Sequence, residues 1–260
     1  MKSLFTPLIT LFLVACGGSV YDDAGYLICK TKEDCGTTRP NSLIPPASEK
    51  KFTNILENCK LHYPESQTKV PYGEFEGFAT EYFYLENGAM TFQLNKTFDG
   101  KYRSELRQGP ETNEWEASAK KAHTLKGSIK CYGSEKLTKY TFLQIHGNED
   151  FSLPLLRMVW EKRHDGKTNH LWAVIMTSRS FDNKTYDWID LGERKSEFVD
   201  LEVTVQKNHM HILFDNKTID RNVSYWYDIK NYYKAGLYLS DKESRGITKV
   251  QFRELKYIGE

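Results

Sequence analysis

From about residue 50 to the C-terminus, apolar and polar residues alternate in short runs separated by turn-forming residues. Glu81–Leu85 and Ala89–Leu94 flank Glu86-Asn87-Gly88. An Asn-Gly pair between two such runs is a strong hairpin signal. Further alternating or aromatic runs lie at Tyr140–His146, Leu155–Lys162, His170–Thr177, Phe198–Lys207, His209–Phe214, Tyr232–Ser240 and Thr248–Ile258. Their period of two is that of half-buried strands. Asp165-Gly166 and Asp215-Asn216 supply further turns. Only Thr53–Cys59 and Asn113–Ala122 have a pattern compatible with helix, and both are short. No internal repeat of fixed period occurs. Many short strands with turns between them predict an all-β fold over residues 51–260, a sandwich or jelly roll of two antiparallel sheets.

The first 50 residues have a different pattern. Lys2 precedes an apolar stretch from Leu4 to Ala15, the layout of an export signal over residues 1–15. The stretch ends Leu13-Val14-Ala15-Cys16, followed by Gly17-Gly18. This resembles a bacterial lipobox, in which the cysteine is acylated and becomes the first mature residue. An ordinary cleaved signal is the competing reading. Residues 16–50, with Gly, Ser, Asp, Thr and Pro45-Pro46, read as a lipidated tether. The expectation is an exported bacterial lipoprotein, anchored to the outer membrane through Cys16.

Composition narrows the choice of function. The chain of 260 residues is 13% aromatic and 39% apolar, which excludes disorder. Lys and Arg number 36 against 35 Asp and Glu, so no global field favours nucleic acid. No apolar run reaches the roughly 18 residues that span a bilayer. With Cys16 assigned to lipid, Cys29, Cys35, Cys59 and Cys131 remain, an even number that permits disulfides in an exported protein. Cys29–Cys35 would close a loop in the tether, and Cys59–Cys131 would staple the first segment of the domain to a later strand. His209 and His211 share a strand face but have no evident thiol or acidic partner, so no metal is expected.

Three strands carry the chemistry. Side chains at i, i+2 and i+4 share a face. In Arg103-Ser104-Glu105-Leu106-Arg107 one face receives Arg103, Glu105 and Arg107. In Thr141–His146, Gln144 and His146 share a face while Leu143 and Ile145 take the other. In Tyr233–Ser240, one face shows Lys234, Gly236, Tyr238 and Ser240. Taken singly these are ordinary outward polar groups: an ion-pair ladder, a solvated Gln-x-His, a bulged strand. Gathered on one sheet, guanidinium, amide, imidazole, ammonium and phenol suit an acidic, hydroxyl-rich ligand.

In order and spacing, RSELR at 103–107, QIH at 144–146 and YYKAGLY at 232–238 resemble the three signature motifs of alginate lyases of polysaccharide lyase family 7. The Tyr82–Met90 hairpin and Pro154-Leu155-Leu156 fit as well. The resemblance covers residues 50–260. It implies a β-jelly roll whose concave sheet binds alginate, a polymer of mannuronate and guluronate, and cleaves it by β-elimination. It implies catalytic roles for Arg103, Gln144, His146 and Tyr238. Arg103 and Gln144, helped by His146, would neutralise the substrate carboxylate. Tyr238 would act as base and acid, with His146 the base for guluronate. Glu105, Arg107, Lys234 and Ser240 would bind or brace neighbouring sugars. Ser240 stands where the family usually has Gln. No metal or cofactor is required, and the protein is expected to act as a monomer. Within the family, Ile at the middle of the second motif, here Ile145, tends to accompany activity on guluronate-containing blocks. A lyase on another polyuronate such as glucuronan would use the same groups. A non-catalytic carbohydrate-binding lipoprotein would not need the Tyr–His–Arg set. A glycoside hydrolase would need two carboxylates flanking the bond, for which no strand pattern is evident.

Overall fold

The computed structural model describes residues 43–241 and 244–259, together with a short antiparallel ribbon in which Val20–Tyr21 pairs with Leu27–Cys29. The export segment 1–15, Cys16 and Cys35 lie outside the described residues. The folded body begins at Leu43. Ile44 bridges to Leu85, and Pro46 and Phe52 are buried. Residues 43–50, expected in the tether, therefore belong to the body, which they join through the Ile44 bridge and the buried Pro46.

One short helix, α1 (Thr53–Glu57), precedes sixteen strands in the body. They are β1 (Cys59–His62), β2 (Thr68–Val70), β3 (Phe83–Glu86), β4 (Ala89–Lys96), β5 (Tyr102–Gln108), β6 (Trp115–Glu116), β7 (His123–Cys131) and β8 (Lys139–Gly147), followed by β9 (Pro154–His164), β10 (Lys167–Met176), β11 (Tyr186–Glu193), β12 (Val199–Gln206), β13 (His209–Phe214), β14 (Lys217–Asn222), β15 (Lys230–Leu239) and β16 (Gly246–Gly259). One sheet has the order β11-β10-β9-β8-β15-β5-β1-β2, with β6 attached to β15. The other runs β14-β13-β12-β7-β16-β4-β3. The pairings within both sheets are antiparallel, giving the expected jelly-roll sandwich.

Local chemistry accounts for the hairpins and the alternation. Asn87 and Gly88 both have positive φ (52° and 71°), the type I′ geometry that matches strand twist. Asp165 and Gly166 repeat it at 46° and 73°. In β12 the residues Val199, Leu201, Val203 and Val205 point inward and the residues between them outward. Each such buried aliphatic side chain contributes about 1.5–3 kcal/mol. On adjacent strands of the smaller sheet, Phe92 meets Phe252 edge-on at 5.8 Å in the core. The buried Tyr233 hydroxyl on β15 donates across the sandwich to the His123 and Val203 carbonyls, at 2.7 and 2.9 Å.

The structure departs from two further expectations. Residues 113–122 are not helical: a 3-10 turn at Glu111–Asn113 leads into β6. Trp115 is buried there, stacked on His123 at 4.8 Å and with its Nε1 donating to Gln108 Oε1, so tertiary packing overrides local helix propensity. Cys59 and Cys131 form no staple, and both are free, buried thiols. Cys59 lies beside Tyr257, whereas Cys131 pairs with Val250. Those two residues of β16 are separated by roughly 23 Å of strand, far beyond the reach of a disulfide.

Candidate active site

The three motif strands are neighbours at the centre of the larger sheet, and their register aligns the polar groups on its outer face. Tyr238 stands between Arg103 on β5 and Thr141 on β8. Gly236 is opposite Glu105, Lys234 stands between Arg107 and Gln144, and Tyr232 is opposite His146. The β8–β15 ladder shifts between Thr141 and Leu143. Strict alternation would place Phe142 on the same face as Gln144. The shift instead lets Phe142 enter the core, where it is 1% exposed and meets the Phe214 ring. Gly236 has φ +139°, and a Cβ there would lie 2.4 Å from the Ser104 carbonyl oxygen. Only glycine lets β15 pass β5 this closely.

Glu105 is the anchor of the site. It is 2% exposed, accepts a 2.6 Å hydrogen bond from Gln144 Nε2 and a 3.1 Å bond from Lys234 Nζ, and has Arg103 Nη1 at 3.8 Å. Burial opposes its ionisation, but the Lys234 and Arg103 charges and the two hydrogen bonds outweigh this and hold the carboxyl below its ordinary range. Burial lowers the Lys234 pKa, against the pull of Glu105. Arg107 is also buried: its Nη2 pairs with Glu114 at 2.6 Å, Nη1 donates to the Tyr72 hydroxyl, and the guanidinium lies 3.8 Å over the Tyr232 ring. Glu105, Lys234 and Arg107, expected to bind or brace neighbouring sugars, are thus buried and paired with one another or with their neighbours. Ser240 lies just beyond β15 and is half-buried.

Three groups face outward from this base. Arg103 is half-buried, with its guanidinium 4.8 Å over the Tyr238 ring. Burial raises the Tyr238 pKa, and Arg103 acts against that rise, so the phenol is protonated at neutral pH. His146 Nδ1 lies 2.7 Å from the Gly147 carbonyl oxygen and must donate to it. Nε2 is then a bare acceptor. Burial first, and the Lys234 charge second, lower the His146 pKa to about 4, so the ring is neutral. The Tyr232 ring stacks on it, with centroids 5.5 Å apart.

Sequence reasoning missed three neighbours. Tyr232 continues the i, i+2 row of Lys234 and was legible from it. His62 on β1 is opposite Glu105, and Arg157 on β9 is opposite Gln144. Neither has a local signal, because only strand pairing brings it to the site. His62 Nδ1 is buried with no hydrogen-bond partner among the described residues, and burial lowers its pKa to about 4. Among the described residues no group of three or more His, Cys, Asp or Glu is placed to hold a metal.

A family profile described as alginate lyase matches residues 54–258, most of the chain. The chain belongs to the alginate lyase family. A curated alginate lyase from Photobacterium sp. (strain ATCC 43367) is 25% identical over 252 residues, covering 82% of this chain and 87% of that protein. Among solved structures, alginate lyase AlyC3 superposes with a TM-score of 0.73 at 21% identity, covering 86% of this chain and 98% of its own. Alginate lyase A1-II', a member of polysaccharide lyase family-7, gives 0.67 at 22% identity, with 83% and 98% covered. These two likenesses carry the jelly-roll fold.

Proposed function

We propose that this family member cleaves alginate by β-elimination at 4-linked uronates and leaves a 4,5-unsaturated uronate at the new end. One observation carries the reading. Adjacent central strands present a guanidinium, a protonated phenol and a neutral imidazole with a bare nitrogen on one face, over a buried ionic base.

The reaction needs three things. The proton at C5 is a poor acid while the neighbouring carboxylate is charged. Arg103 pairs with that carboxylate through its two-pronged fork, and the second amide hydrogen of Gln144 adds to it, so the developing enolate is stabilised. A base then removes the proton. For guluronate the base is His146 Nε2. The bound uronate carboxylate raises the imidazole's pKa from its low resting value toward the working pH. For mannuronate, which presents its proton from the other side, the base is Tyr238, eased toward ionisation by Arg103. Finally, the departing O4 takes a proton from the Tyr238 hydroxyl. Side chains alone supply these steps.

Ile145 lies fully buried behind Gln144 and His146, against Leu156 and Tyr233. Its bulk sets the position of the strand that bears both groups, and small displacements near reacting atoms have large rate effects. With His146 available as base, polyguluronate and mixed blocks are cleaved at least as fast as polymannuronate. The protein works as an exported lipoprotein held to the outer membrane by acyl groups on Cys16. Two or three chains give stable anchoring where one does not.

Mass spectrometry of the products tests the reaction. Elimination gives oligosaccharides one water lighter than hydrolysis would at the new end. Hydrolytic masses, or cleavage of glucuronan but not alginate, would overturn the proposal. Initial rates on the two pure block polymers test the preference, and strict mannuronate specificity would contradict it. Partition of the full-length protein into detergent, lost in Cys16→Ser, tests the anchor. A wild-type protein found wholly in the medium without N-terminal lipid would refute it.

A further inference from the structure

The outer face continues past the catalytic strands to the edge of the sheet. The row that holds Gln144 runs on through Arg157 on β9 and Val174 on β10 to Trp188 on β11. The row that holds Tyr238 and Thr141 runs through Val159 to Trp172 and Asp190. Val159, Trp172 and Val174 form an apolar cluster separate from the main core, with Tyr186 packed against it. Trp188 is 37% exposed. His164 stacks on it at 4.0 Å with the planes 21° apart, and Trp172 meets it edge-on at 6.2 Å.

We propose that this edge is a second sugar-binding subsite for the same uronate chain, in which Arg157 pairs with a carboxylate and the Trp188 indole stacks on a sugar ring. The inference rests on the reading of the central site as an alginate lyase. Four features support it. An indole braced from behind by His164 and edged by Trp172 is a rigid, flat surface suited to the apolar face of a sugar. Arg157 stands between the catalytic row and that indole, its guanidinium 5.2 Å over the Tyr186 ring and its Nε without a hydrogen-bond partner among the described residues. Its fork matches a carboxylate. The acidic side chains sharing this face have cationic neighbours that offset their charge. Asp190 is paired with Lys167 at 2.7 Å and hydrogen-bonded to His170 at 2.8 Å, and the Lys139 and Arg157 charges act on Glu161, which also contacts His164 at 3.3 Å. Finally, the Trp172 indole N–H is buried with no hydrogen-bond partner among the described residues, and a hydroxyl of a sugar seated against the two indoles would supply one. Trp188 is three strand spacings from Gln144, about 14 Å. That is a few sugar units along a chain lying across the strands, so long substrates reach it and the shortest do not.

The test compares alginate polymer with an alginate trisaccharide, using the wild type, Trp188→Ala and Arg157→Gln. In both variants the advantage of the polymer over the trisaccharide in kcat/KM should fall about two- to tenfold, mainly through KM on the polymer. Binding of an alginate hexasaccharide to Tyr238→Phe should quench tryptophan fluorescence, and adding Trp188→Ala should weaken that binding. If the variants change polymer and trisaccharide equally, with hexasaccharide binding unaltered, the subsite does not exist although the lyase reading stands. If the wild type cleaves neither substrate, the lyase reading itself fails.

Discussion

At the residue scale, the site separates two kinds of polar group by what surrounds them. Glu105, Lys234 and Arg107 are buried and paired, whereas Arg103, Tyr238 and His146 are only partly buried. Tyr238→Phe removes only a hydroxyl and should leave the fold intact. It should lower turnover by roughly a hundred- to ten-thousand-fold, the range for loss of a general acid–base group. Near-normal rates in a folded protein would exclude Tyr238 as the proton donor. Arg103→Lys keeps the charge but loses the fork. A drop in kcat of roughly a hundred- to a thousand-fold is expected, and retention of the rate would make Arg103 merely structural. The motif residues were legible because alternation puts those of each strand on one face and the resemblance to a known family singled out the three strands together. The depth of Arg107 was not, because it depends on how Tyr72, Glu114 and Tyr232 close over it from other elements; that of Glu105 and Lys234 depends on the pairing of β5, β8 and β15, which joins them to each other and to Gln144. His62 and Arg157 carry no local signal either, because their neighbours are set by strand pairing.

Among the elements, β15 is the one on which the site depends. It touches β5 on one side and β8 on the other, and Gly236 sets its approach to β5. Gly236→Ala must push the two strands apart, since a methyl group at 2.4 Å from the Ser104 oxygen has no room. Both activity and thermal stability should fall, and an unaltered melting temperature would contradict the close approach. Glu105→Gln leaves Lys234 buried beside Arg103 and Arg107 with no anion, which should cost about 3–5 kcal/mol. Urea denaturation measures it, and a loss under 1 kcal/mol would mean that the pair is solvated. Most longer strands were readable from their alternation and from the Asn87-Gly88 and Asp165-Gly166 turns. Strand β7 was not, since Lys126-Gly127-Ser128 breaks its apolar alternation and its place between β12 and β16 decides its pairing; nor were β11 and β14. Their mixed polar sequences, Tyr186–Glu193 and Lys217–Asn222, follow from their positions at the outer ends of the two sheets rather than from burial on one face. The apparent helix at 113–122 was lost to the pocket that Trp115 fills.

On the scale of the whole molecule, three histidines are held neutral by burial. His62, His123 and His146 are each lowered from 6.5 to about 4. Below pH 6.5 the unfolded chain takes up protons at these sites that the fold refuses. Their contribution to stability is therefore complete above 6.5 and declines as the pH falls toward 4. The urea midpoint should be lower at pH 5 than at pH 7, and equal midpoints would show that these rings are open to water. The two-sheet architecture was legible from the recurrence of strands alone. The separation of Cys59 from Cys131 was not, because it follows from which end of β16 each one meets. The proposed β-elimination on the outer face of this sheet, through His146 and Tyr238, is followed by the ultraviolet absorbance of unsaturated uronate, with purified wild type and Tyr238→Phe on polyguluronate and polymannuronate in parallel. A steady rise is expected with the wild type, at least as fast on polyguluronate, and almost none with Tyr238→Phe on either polymer. A wild type that gives no rise on either, or a folded Tyr238→Phe that matches it, would rule out this chemistry.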